Sequence, residues 1–292
     1  MSVVVEDAES GVASVTSGVP QSFVLGPLLF ILFINDLPDS VVSPCRLYAD
    51  DAIIYNSRDH QGQLQSDLDV LNSWANTWQL SFSISKCFLM TVVRKQSQST
   101  QYTLAGSNLE FVDEHPYLEI VLQSNLTFST HINNIACKAS RLNGMLRRVL
   151  KDANTKTRLI AFNTLVRPVL EYGCPVWDPF LKKDIKILQK VQNEALRFIF
   201  SIKGPISFSQ LRHDTNISSL EERRKEIRRQ LFFKSYTHSV DLNFIVPLKP
   251  EAEKLKDFIQ TRQGAFYRPF IKSKQHFYSF WPRAFRDFGD GF

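Results

Sequence analysis

The pattern of hydrophobic and polar residues changes character near residue 130. Before that point, apolar residues form short runs and alternating stretches between polar loops, with two helical stretches among them. After it, they recur every three or four residues along four long segments. The pattern predicts a mixed α and β part followed by an all-helical part, which is an α+β chain.

In the first part, the pattern predicts two helices and several short strands. One helix opens at Gly26-Pro27, where proline suits the first turn, and stops at Pro38. Its apolar side chains lie nearly all round, which predicts that the helix is buried. The other helix is predicted over 67–78. The predicted strands are a weak hairpin of 3–5 with 13–16, a hairpin over 45–55, strands over 82–85 and 88–93, and a pair over 109–112 and 117–122.

In the second part, helical spacing predicts four helices, at 131–149, from about 155 to a bend or end at Pro168, at 181–200 and at 220–237. The third is amphipathic: its apolar positions face inward, and four lysines face outward, namely Lys182, Lys183, Lys186 and Lys190. The fourth begins with Glu221-Glu222 and carries its arginines later, an order that suits the helix dipole.

Length and composition exclude several classes of protein. The 292 residues, 43% of them hydrophobic, fit one large or two modest globular domains and exclude collagen-like, mucin-like and wholly disordered chains. The four cysteines are far apart and form no CxxC pair, which predicts free thiols in a reducing compartment. No signal-like segment opens the sequence, and its most apolar run is shorter than the roughly 20 residues that a bilayer needs. We therefore expect an intracellular protein without membrane contact, in the nucleus or the cytoplasm.

The net charge of +6 hides a strong asymmetry along the chain. Residues 138–234 carry 21 Lys and Arg against 9 Asp and Glu, a balance of +12, whereas the residues before 138 are acidic overall. This division suggests cation binding in the first part and polyanion binding in the second. The alternative is that the lysines and arginines only solvate the outer faces of helices.

Two adjacent acids, Asp50 and Asp51, lie at the centre of the predicted hairpin 45–55. Neighbouring carboxylates at a tight turn repel each other unless a cation joins them. Mg²⁺ prefers carboxylate oxygens, so the pair is a candidate metal site. Aspartate is also a common turn residue, so an Asp-Asp pair alone is weak evidence for metal.

An ordered series of short motifs surrounds these acids. In chain order they are Ser17-Gly18-Val19-Pro20-Gln21, Leu25-Gly26-Pro27-Leu28-Leu29-Phe30, Ile34-Asn35-Asp36-Leu37-Pro38, Tyr48-Ala49-Asp50-Asp51, Ser85-Lys86-Cys87, Tyr117-Leu118, Lys138-Ala139 and Val176-Trp177-Asp178-Pro179. The series closely resembles the reverse transcriptases of non-LTR retrotransposons, over about residues 3–288. The resemblance covers palm motifs B to E, the thumb and the C-terminal helical extension.

The resemblance implies a fold and a domain organisation. Residues 1–128 would form a partial palm, an antiparallel sheet with packed helices that carries the Tyr-Ala-Asp-Asp hairpin. Residues 129–240 would form an all-α, basic thumb. Residues 241–292 would form a C-terminal helical extension.

It also implies catalytic roles. Asp50 resembles the palm carboxylate that holds two Mg²⁺ ions at the primer 3′ end, together with a carboxylate from an upstream strand. Asp51 would support it or act as a second metal ligand. Lys86 resembles the motif D lysine, a candidate general acid for the pyrophosphate leaving group.

Further residues would bind the substrates by the same resemblance. Tyr48 and Ala49 would place the turn under the primer terminus, and Tyr117-Leu118 would grip the primer. The loop that shapes the nucleotide and template pocket would contain Gly18, Pro20 and Gln21. The implied partners are an RNA template, a DNA primer or RNA–DNA duplex, and deoxynucleoside triphosphates, with the basic helices following the nucleic-acid backbone.

The sequence departs from the family pattern in three places. Ser22-Phe23 replaces Gly-Ser after Pro-Gln, which would crowd the pocket, and Glu119 replaces the glycine after Tyr-Leu. The segment with the first palm carboxylate is not found, since Asp7 lies in a polar link rather than after an apolar strand. Because one hairpin supplies only half of a two-metal site, we expect the chain to be inactive alone.

Three hypotheses follow for function. The chain is part of an RNA-directed DNA polymerase, whose reaction is template-directed nucleotide addition. Alternatively, it is a non-catalytic nucleic-acid-binding remnant of a retrotransposon that works through residues 138–234. A third possibility is a decayed element without a selected role.

Overall fold

The computed structural model describes residues 4–6, 8–11, 24–57, 60–92, 100–236, 258–261, 264–267, 283–284 and 287. The chain divides into two compact units: unit 1 comprises residues 1–89 and 95–112, and unit 2 comprises residues 90–94 and 113–292. The division after Val112 falls earlier than the boundary predicted after residue 128, because a hairpin over 114–123 packs with the helices of unit 2. The boundary predicted after residue 240 lies outside the described residues.

The described part of unit 1 consists of two α-helices and short strands. In chain order these are β1 (Val4–Val5), β2 (Ala8–Glu9), α1 (Gly26–Ile34), β3 (Cys45–Tyr48), β4 (Asp51–Ile54), α2 (Gln61–Thr77), β5 (Phe88–Leu89), β6 (Thr103–Leu104), β7 (Ser107–Asn108) and β8 (Glu110–Phe111). The strand pairs β1–β2, β3–β4 and β6–β7 are antiparallel, and β5–β8 is parallel. Among the described residues the strands form separate pairs rather than the single antiparallel sheet that we expected.

Two predicted strands of unit 1 are corrected by the structure. Strand β1 pairs with Ala8–Glu9, whereas the partner predicted at 13–16 lies outside the described residues. The strand predicted over 82–85 is wrong, because Ile84–Lys86 form a 3₁₀ turn. Cys87 N–H donates to the Ile84 carbonyl oxygen at 3.0 Å, so local turn bonds take the place of a ladder.

The core of unit 1 is small and centres on α2. Leu68 and Leu71 on one face of this helix pack with apolar side chains of the neighbouring segments, namely Leu37, Cys45, Tyr102, Leu104 and Leu109. The helix predicted over 67–78 is confirmed, with a start earlier than predicted. Its amphipathic face explains why it forms the centre of the core.

Helix α1 contradicts the prediction that it is buried. Most of its apolar side chains are exposed, including Leu28, Ile31 and Leu32, the last with 66% of its surface exposed. Gly26 is buried, and Ile34 packs against the core from the end of the helix. The prediction failed because an apolar pattern indicates that a helix prefers to be buried. The pattern does not indicate whether the described chain provides a surface that covers the helix.

Unit 2 is mainly helical. In chain order it contains β9 (Glu114–Tyr117), β10 (Ile120–Gln123), α3 (Ser129–Val149), α4 (Thr155–Ala161), α5 (Arg167–Glu171), α6 (Cys174–Trp177), α7 (Lys182–Ile199), α8 (Phe208–Thr215), α9 (Leu220–Tyr236), β11 (Phe258–Thr261) and β12 (Gly264–Tyr267). A π-helical turn, Phe162–Val166, joins α4 to α5. The four predicted helices are confirmed as α3, α4 with α5, α7 and α9.

One expectation for the strands of unit 2 is wrong. The strand predicted over 117–122 is a hairpin, in which Tyr117 pairs with Ile120 across a turn of Leu118 and Glu119. Both turn residues have positive φ, 47° and 64°. The described part of residues 241–292 contains the antiparallel pair β11–β12 together with helical residues at 283–284 and 287, and the predicted helical extension stays a prediction.

The core of unit 2 is continuous and lies between α3, α5, α6 and α7. Ile132, Leu170, Leu188 and Leu196 are fully buried in it, together with Trp177. The amphipathic pattern of α7 is confirmed, because its four lysines are exposed. All four cysteines are free thiols, as the sequence predicts.

Candidate active site

The two adjacent acids lie at the tip of the β3–β4 hairpin. Tyr48 pairs with Asp51, so Ala49 and Asp50 form the two-residue turn. Ala49 has a φ of 50°, the left-handed conformation that a tight hairpin turn of this kind requires. The sequence prediction of a hairpin around these acids is therefore confirmed.

Both carboxylates are open to solvent. Asp50 and Asp51 are exposed, and within the described part of the chain neither carboxylate has a side-chain hydrogen bond or an ion pair. The Tyr48 side chain, 63% exposed, stands directly across from Asp51 on the same face of the hairpin. A ligand approaching the tip therefore meets an aromatic ring, the left-handed turn and two adjacent carboxylates.

The base of the hairpin is held by Asp67 of α2, a residue that the sequence analysis did not single out. Its Oδ1 accepts the N–H of Val42 and its Oδ2 the N–H of Ser43, both at 3.0 Å. Asn56, which follows β4, donates its side-chain N–H to Ser43 Oγ at 2.8 Å. Gln63 adds a third donor to Asp67, at 3.0 Å. These bonds join the two ends of the hairpin to the helix, and so they position its tip.

The carboxyl group of Asp67 is charged in the folded protein. Burial alone would raise its pKa, but the hydrogen bonds from Ser43, Val42 and Gln63 outweigh burial and hold the pKa below its ordinary value. The role of Asp67 could not be predicted from a local sequence pattern, because its two backbone donors lie more than twenty residues earlier in the chain.

The chemistry of Asp50 and Asp51 fits one magnesium ion. Mg²⁺ is commonly held by one or two carboxylates together with water and substrate phosphates, and the exposed pair supplies these hard oxygen donors. Among the described residues, no group of three or more His, Cys, Asp and Glu side chains forms a site for a metal ion. An ion held by this pair would therefore need substrate oxygens and water as its further ligands.

The remaining residues predicted for substrate binding are placed in different ways. Lys86 is exposed in the 3₁₀ turn of unit 1. Gly18, Pro20 and Gln21 lie outside the described residues, as do Ser22 and Phe23. Their roles stay predictions.

Tyr117 and Leu118 belong to unit 2, at the end of β9 and in the turn of the β9–β10 hairpin. Tyr172 donates its hydroxyl to the Leu118 carbonyl oxygen at 3.2 Å, which ties this turn to the end of α5. Glu119 adopts a φ of 64°, a conformation that glycine enters without strain. The glycine of the family pattern therefore suits this backbone, and Glu119 adopts the same turn at a conformational cost.

Three arginines of the basic stretch, Arg158, Arg224 and Arg228, are buried and structural, whereas most of its other basic side chains are exposed or half-buried. Arg224 donates to Asp178 at 2.7 Å, with only 1% of its side chain exposed. Arg228 bonds Asp178 and Asp287, and Arg283 lies 3.0 Å from Asp178. We refer to these five residues as the Asp178 cluster.

Other basic side chains and motif residues are also structural. Arg223 forms a bidentate pair with Glu171. Arg158 is buried and donates to four acceptors, which include the carbonyl oxygens of Leu150 and Phe198. Trp177, next to Asp178 in the Val-Trp-Asp-Pro motif, is 1% exposed and donates its Nε1–H to the Tyr172 carbonyl at 2.7 Å. In this motif, the tryptophan and the aspartate therefore organise the interior of unit 2.

Comparison with known proteins gives matches that agree with the motif series. Residues 3–109 match the family "Reverse transcriptase (RNA-dependent DNA polymerase)". The chain is similar to the "Probable RNA-directed DNA polymerase from transposon BS" of Drosophila melanogaster, at 28% identity over 84% of this chain and 29% of that protein. It is also similar to the "RNA-directed DNA polymerase from mobile element jockey" of the same species, at 25% identity over 81% of this chain and 27% of that protein.

The chain spans less than a third of the length of these relatives. No solved structure matches it. Among the described residues, no helix is long and apolar enough to cross a membrane. The resemblance to reverse transcriptases of non-LTR retrotransposons is confirmed by the family match and these relatives.

Proposed function

We propose that this chain is the part of an RNA-directed DNA polymerase that carries the catalytic hairpin, because residues 3–109 match the reverse transcriptase family. The observation that carries the proposal is the pair of exposed carboxylates at the tip of a hairpin whose base is fixed by Asp67. Its substrates are a DNA primer on an RNA template and deoxynucleoside triphosphates. The protein acts inside the cell, where these substrates occur.

The resemblance gives each predicted site residue a task in this reaction. Asp50 and Asp51 would hold Mg²⁺ through their carboxylate oxygens, and the ion would neutralise triphosphate charge when bound. Tyr48 and Ala49 support the primer terminus from the hairpin. Lys86 donates a proton to the leaving pyrophosphate, and Gly18, Pro20 and Gln21 shape the nucleotide pocket. By the same resemblance, Tyr117 and Leu118 contact the primer strand.

The proposed site is incomplete for two ions. Two-metal transfer needs carboxylates that approach the ions from more than one strand. Within the described residues, Asp50 and Asp51 come from one hairpin without a third acidic or histidine ligand beside them. We therefore expect that the chain binds one divalent ion weakly and does not extend a primer alone.

Metal binding at the hairpin tests this proposal. The concentration of free Mn²⁺ is measured by electron paramagnetic resonance while protein is added. It should fall when the wild-type chain is added and stay constant when the double variant Asp50→Asn, Asp51→Asn is added. Asp39→Asn removes an exposed carboxylate from the same unit, and this control variant should bind like the wild type. Equal Mn²⁺ binding by the double variant and the wild type would remove the hairpin from the proposal.

A primer-extension assay on an RNA template with Mg²⁺ addresses activity. The wild-type chain and Asp50→Asn should both leave the primer unextended. Extension by the wild type but not by Asp50→Asn would show a complete site and correct our expectation. Equal extension by both would end the enzymatic proposal for this polypeptide.

A second candidate function is nucleic-acid binding without catalysis. The exposed lysines of α7 favour it, because they form a row of cationic side chains along one helix that is open to a ligand. Binding through exposed lysines releases counterions, so the affinity should fall as salt rises. An affinity for RNA–DNA duplex or single strands that does not change with salt concentration would argue against this function.

A further inference from the structure

A groove of about 370 Å³ runs along the outer face of α7 and reaches the start of α8. Its lining consists of Lys186, Gln189, Lys190, Asn193, Glu194, Arg197 and Phe208. Three of these side chains are cations and one is an acid, so the groove attracts anions. It lies within unit 2, and the proposed polymerase chemistry uses none of its residues.

Arg197 gives the groove a flat cationic surface. Its Nη1–H donates to the Gly204 carbonyl oxygen at 2.7 Å, and its guanidinium carbon lies 5.1 Å from the centre of the Phe208 ring. Because these contacts fix the guanidinium beside an aromatic ring, little side-chain entropy is lost when a ligand stacks on it. Nucleic-acid bases stack on guanidinium planes and on aromatic rings.

The amide side chains of the groove are fixed as well. Asn193 Oδ1 accepts from Gln189 at 3.2 Å and from Arg212 of α8 at 3.1 Å. The bond from Arg212 links α7 to α8, and the bond from Gln189 lies within α7. The groove is therefore formed by side chains that already hold each other in place.

A row of lysines extends the groove along α7. Lys182, Lys186 and Lys190 are exposed and spaced by four residues, about 6 Å along the helix axis. Lys190 Nζ lies 4.0 Å from Glu194 Oε1, but with 77% of the lysine side chain exposed this pair contributes little. The row thus offers successive ammonium groups to a chain of phosphates.

We infer that this groove binds single-stranded nucleic acid, with phosphates on the lysine row and a base stacked at Arg197. A double helix keeps its bases stacked on one another, so it can use the lysines but not the stacking surface. The inference deepens the second candidate function, because it names the surface and the form of nucleic acid. It does not depend on the Asp50 hairpin.

Fluorescence anisotropy with short RNA strands tests the lysine row. The double variant Lys186→Ala, Lys190→Ala should bind a single-stranded uridine oligomer about tenfold more weakly than the wild type. Its slope of log affinity against log salt should be smaller by about 1.4, since each phosphate contact on a single strand contributes about 0.7. The matched control, Lys151→Ala with Lys156→Ala, removes two exposed lysines that do not line the groove and should bind like the wild type.

The stacking surface is tested with a charge-conserving variant. The wild type should prefer the uridine oligomer to an abasic oligomer of the same length by about tenfold, within the range for stacking of one base. Arg197→Lys keeps the charge but lacks the guanidinium plane, so it should lose this preference and keep its affinity for the abasic strand. Circular dichroism should show that every variant is folded.

Three results would overturn the inference. They are an equal loss of affinity in the control lysine pair, a wild type that binds the abasic strand as tightly as the uridine strand, and an Arg197→Lys variant that keeps the base preference. The Asp50→Asn, Asp51→Asn variant should bind the uridine oligomer like the wild type. A failure of metal binding at the hairpin is therefore distinguishable from a failure of the groove.

Discussion

The two units of this chain differ in how completely they bury their apolar residues. Unit 2 has a continuous core in which Leu188 and Trp177 are inaccessible, whereas the core of unit 1 is a small cluster around α2. Unit 1 also has an apolar helix, α1, with most of its surface exposed. The difference shows that packing against several neighbours, rather than an apolar surface alone, buries a helix: α3, α5, α7 and α9 of unit 2 each pack against at least two other helices.

The units also use charge differently. In unit 2, arginines are buried against aspartates, so charge is part of the interior. In unit 1, the acids at the hairpin tip are exposed, and among the described acids of this unit Asp67 alone is buried, where it accepts hydrogen bonds. Charged side chains are therefore part of the interior of unit 2. In unit 1, the two acids at the hairpin tip are instead accessible to a ligand.

The largest predicted effect concerns the Asp178 cluster. Asp178→Ala leaves Arg224, Arg228 and Arg283 without their shared carboxylate, and removing one partner of a buried ion pair costs about 3–5 kcal/mol. Hydrogen exchange, measured by mass spectrometry for each peptide, should show a loss of protection in α7 and α9.

The control for this variant is Asp152→Ala, because Asp152 is an exposed acid of the same unit whose ion pair with Lys151 is also exposed. It should leave the protection of α7 and α9 unchanged. Equal protection in Asp178→Ala and the wild type would mean that the buried ion pairs do not stabilise unit 2.

The sequence predicted the helices and hairpins of both units better than it predicted the residues that contact them. The β-rich arms around Asp50 identified the hairpin, and the helical spacing from Lys182 to Ile199 identified α7 with its exposed lysines. Both features are local, because a turn and an amphipathic period are encoded within a few residues. The hairpin at Leu118 and Glu119 was missed, since this turn contains none of the residues that usually mark one.

The features that could not be predicted depend on long-range contacts. Arg224 and Arg228 look like surface residues in a basic helix, and only the fold brings Asp178 to them from about fifty residues earlier. Asp67 similarly accepts hydrogen bonds from Val42 and Ser43, which lie more than twenty residues earlier in the sequence. A weak signal was present in the isolated acids of the basic stretch, such as Glu171 and Asp178, which are natural partners for buried arginines.

An intermediate effect is predicted for Asp67 in unit 1. Asp67→Asn keeps one acceptor, so it leaves a donor at the base of the hairpin unsatisfied, at a cost of about 1–3 kcal/mol near neutral pH. The folded pKa of Asp67 is lowered, so its stabilising contribution is present above the ordinary aspartate pKa of about 3.9 and is lost as the pH falls through the folded pKa.

The measurement is hydrogen exchange of the α2 and β3 amides, corrected for the intrinsic pH dependence. Wild type and Asp67→Asn should differ at pH 7 and converge in acid, and Asp69→Asn, at an exposed position two residues later in α2, should follow the wild type. A difference that grows as the pH falls would contradict the assignment of a charged, hydrogen-bonded Asp67. Since Asp67 positions the hairpin, the variant should also weaken Mn²⁺ binding at Asp50 and Asp51.

The smallest effect is predicted for α1, where the contrast between the units is sharpest. Leu32→Gln changes an exposed apolar side chain in a helix, so the free energy of unfolding of unit 1 should change by less than about 0.5 kcal/mol. Leu188→Gln, in contrast, places an amide in the core of unit 2 and should abolish the protection of α7 from hydrogen exchange. If Leu32→Gln removed protection from α2 to a similar extent, α1 would be a buried element in solution. The difference between the two units would then lie in the size of their cores and not in the exposure of an apolar helix.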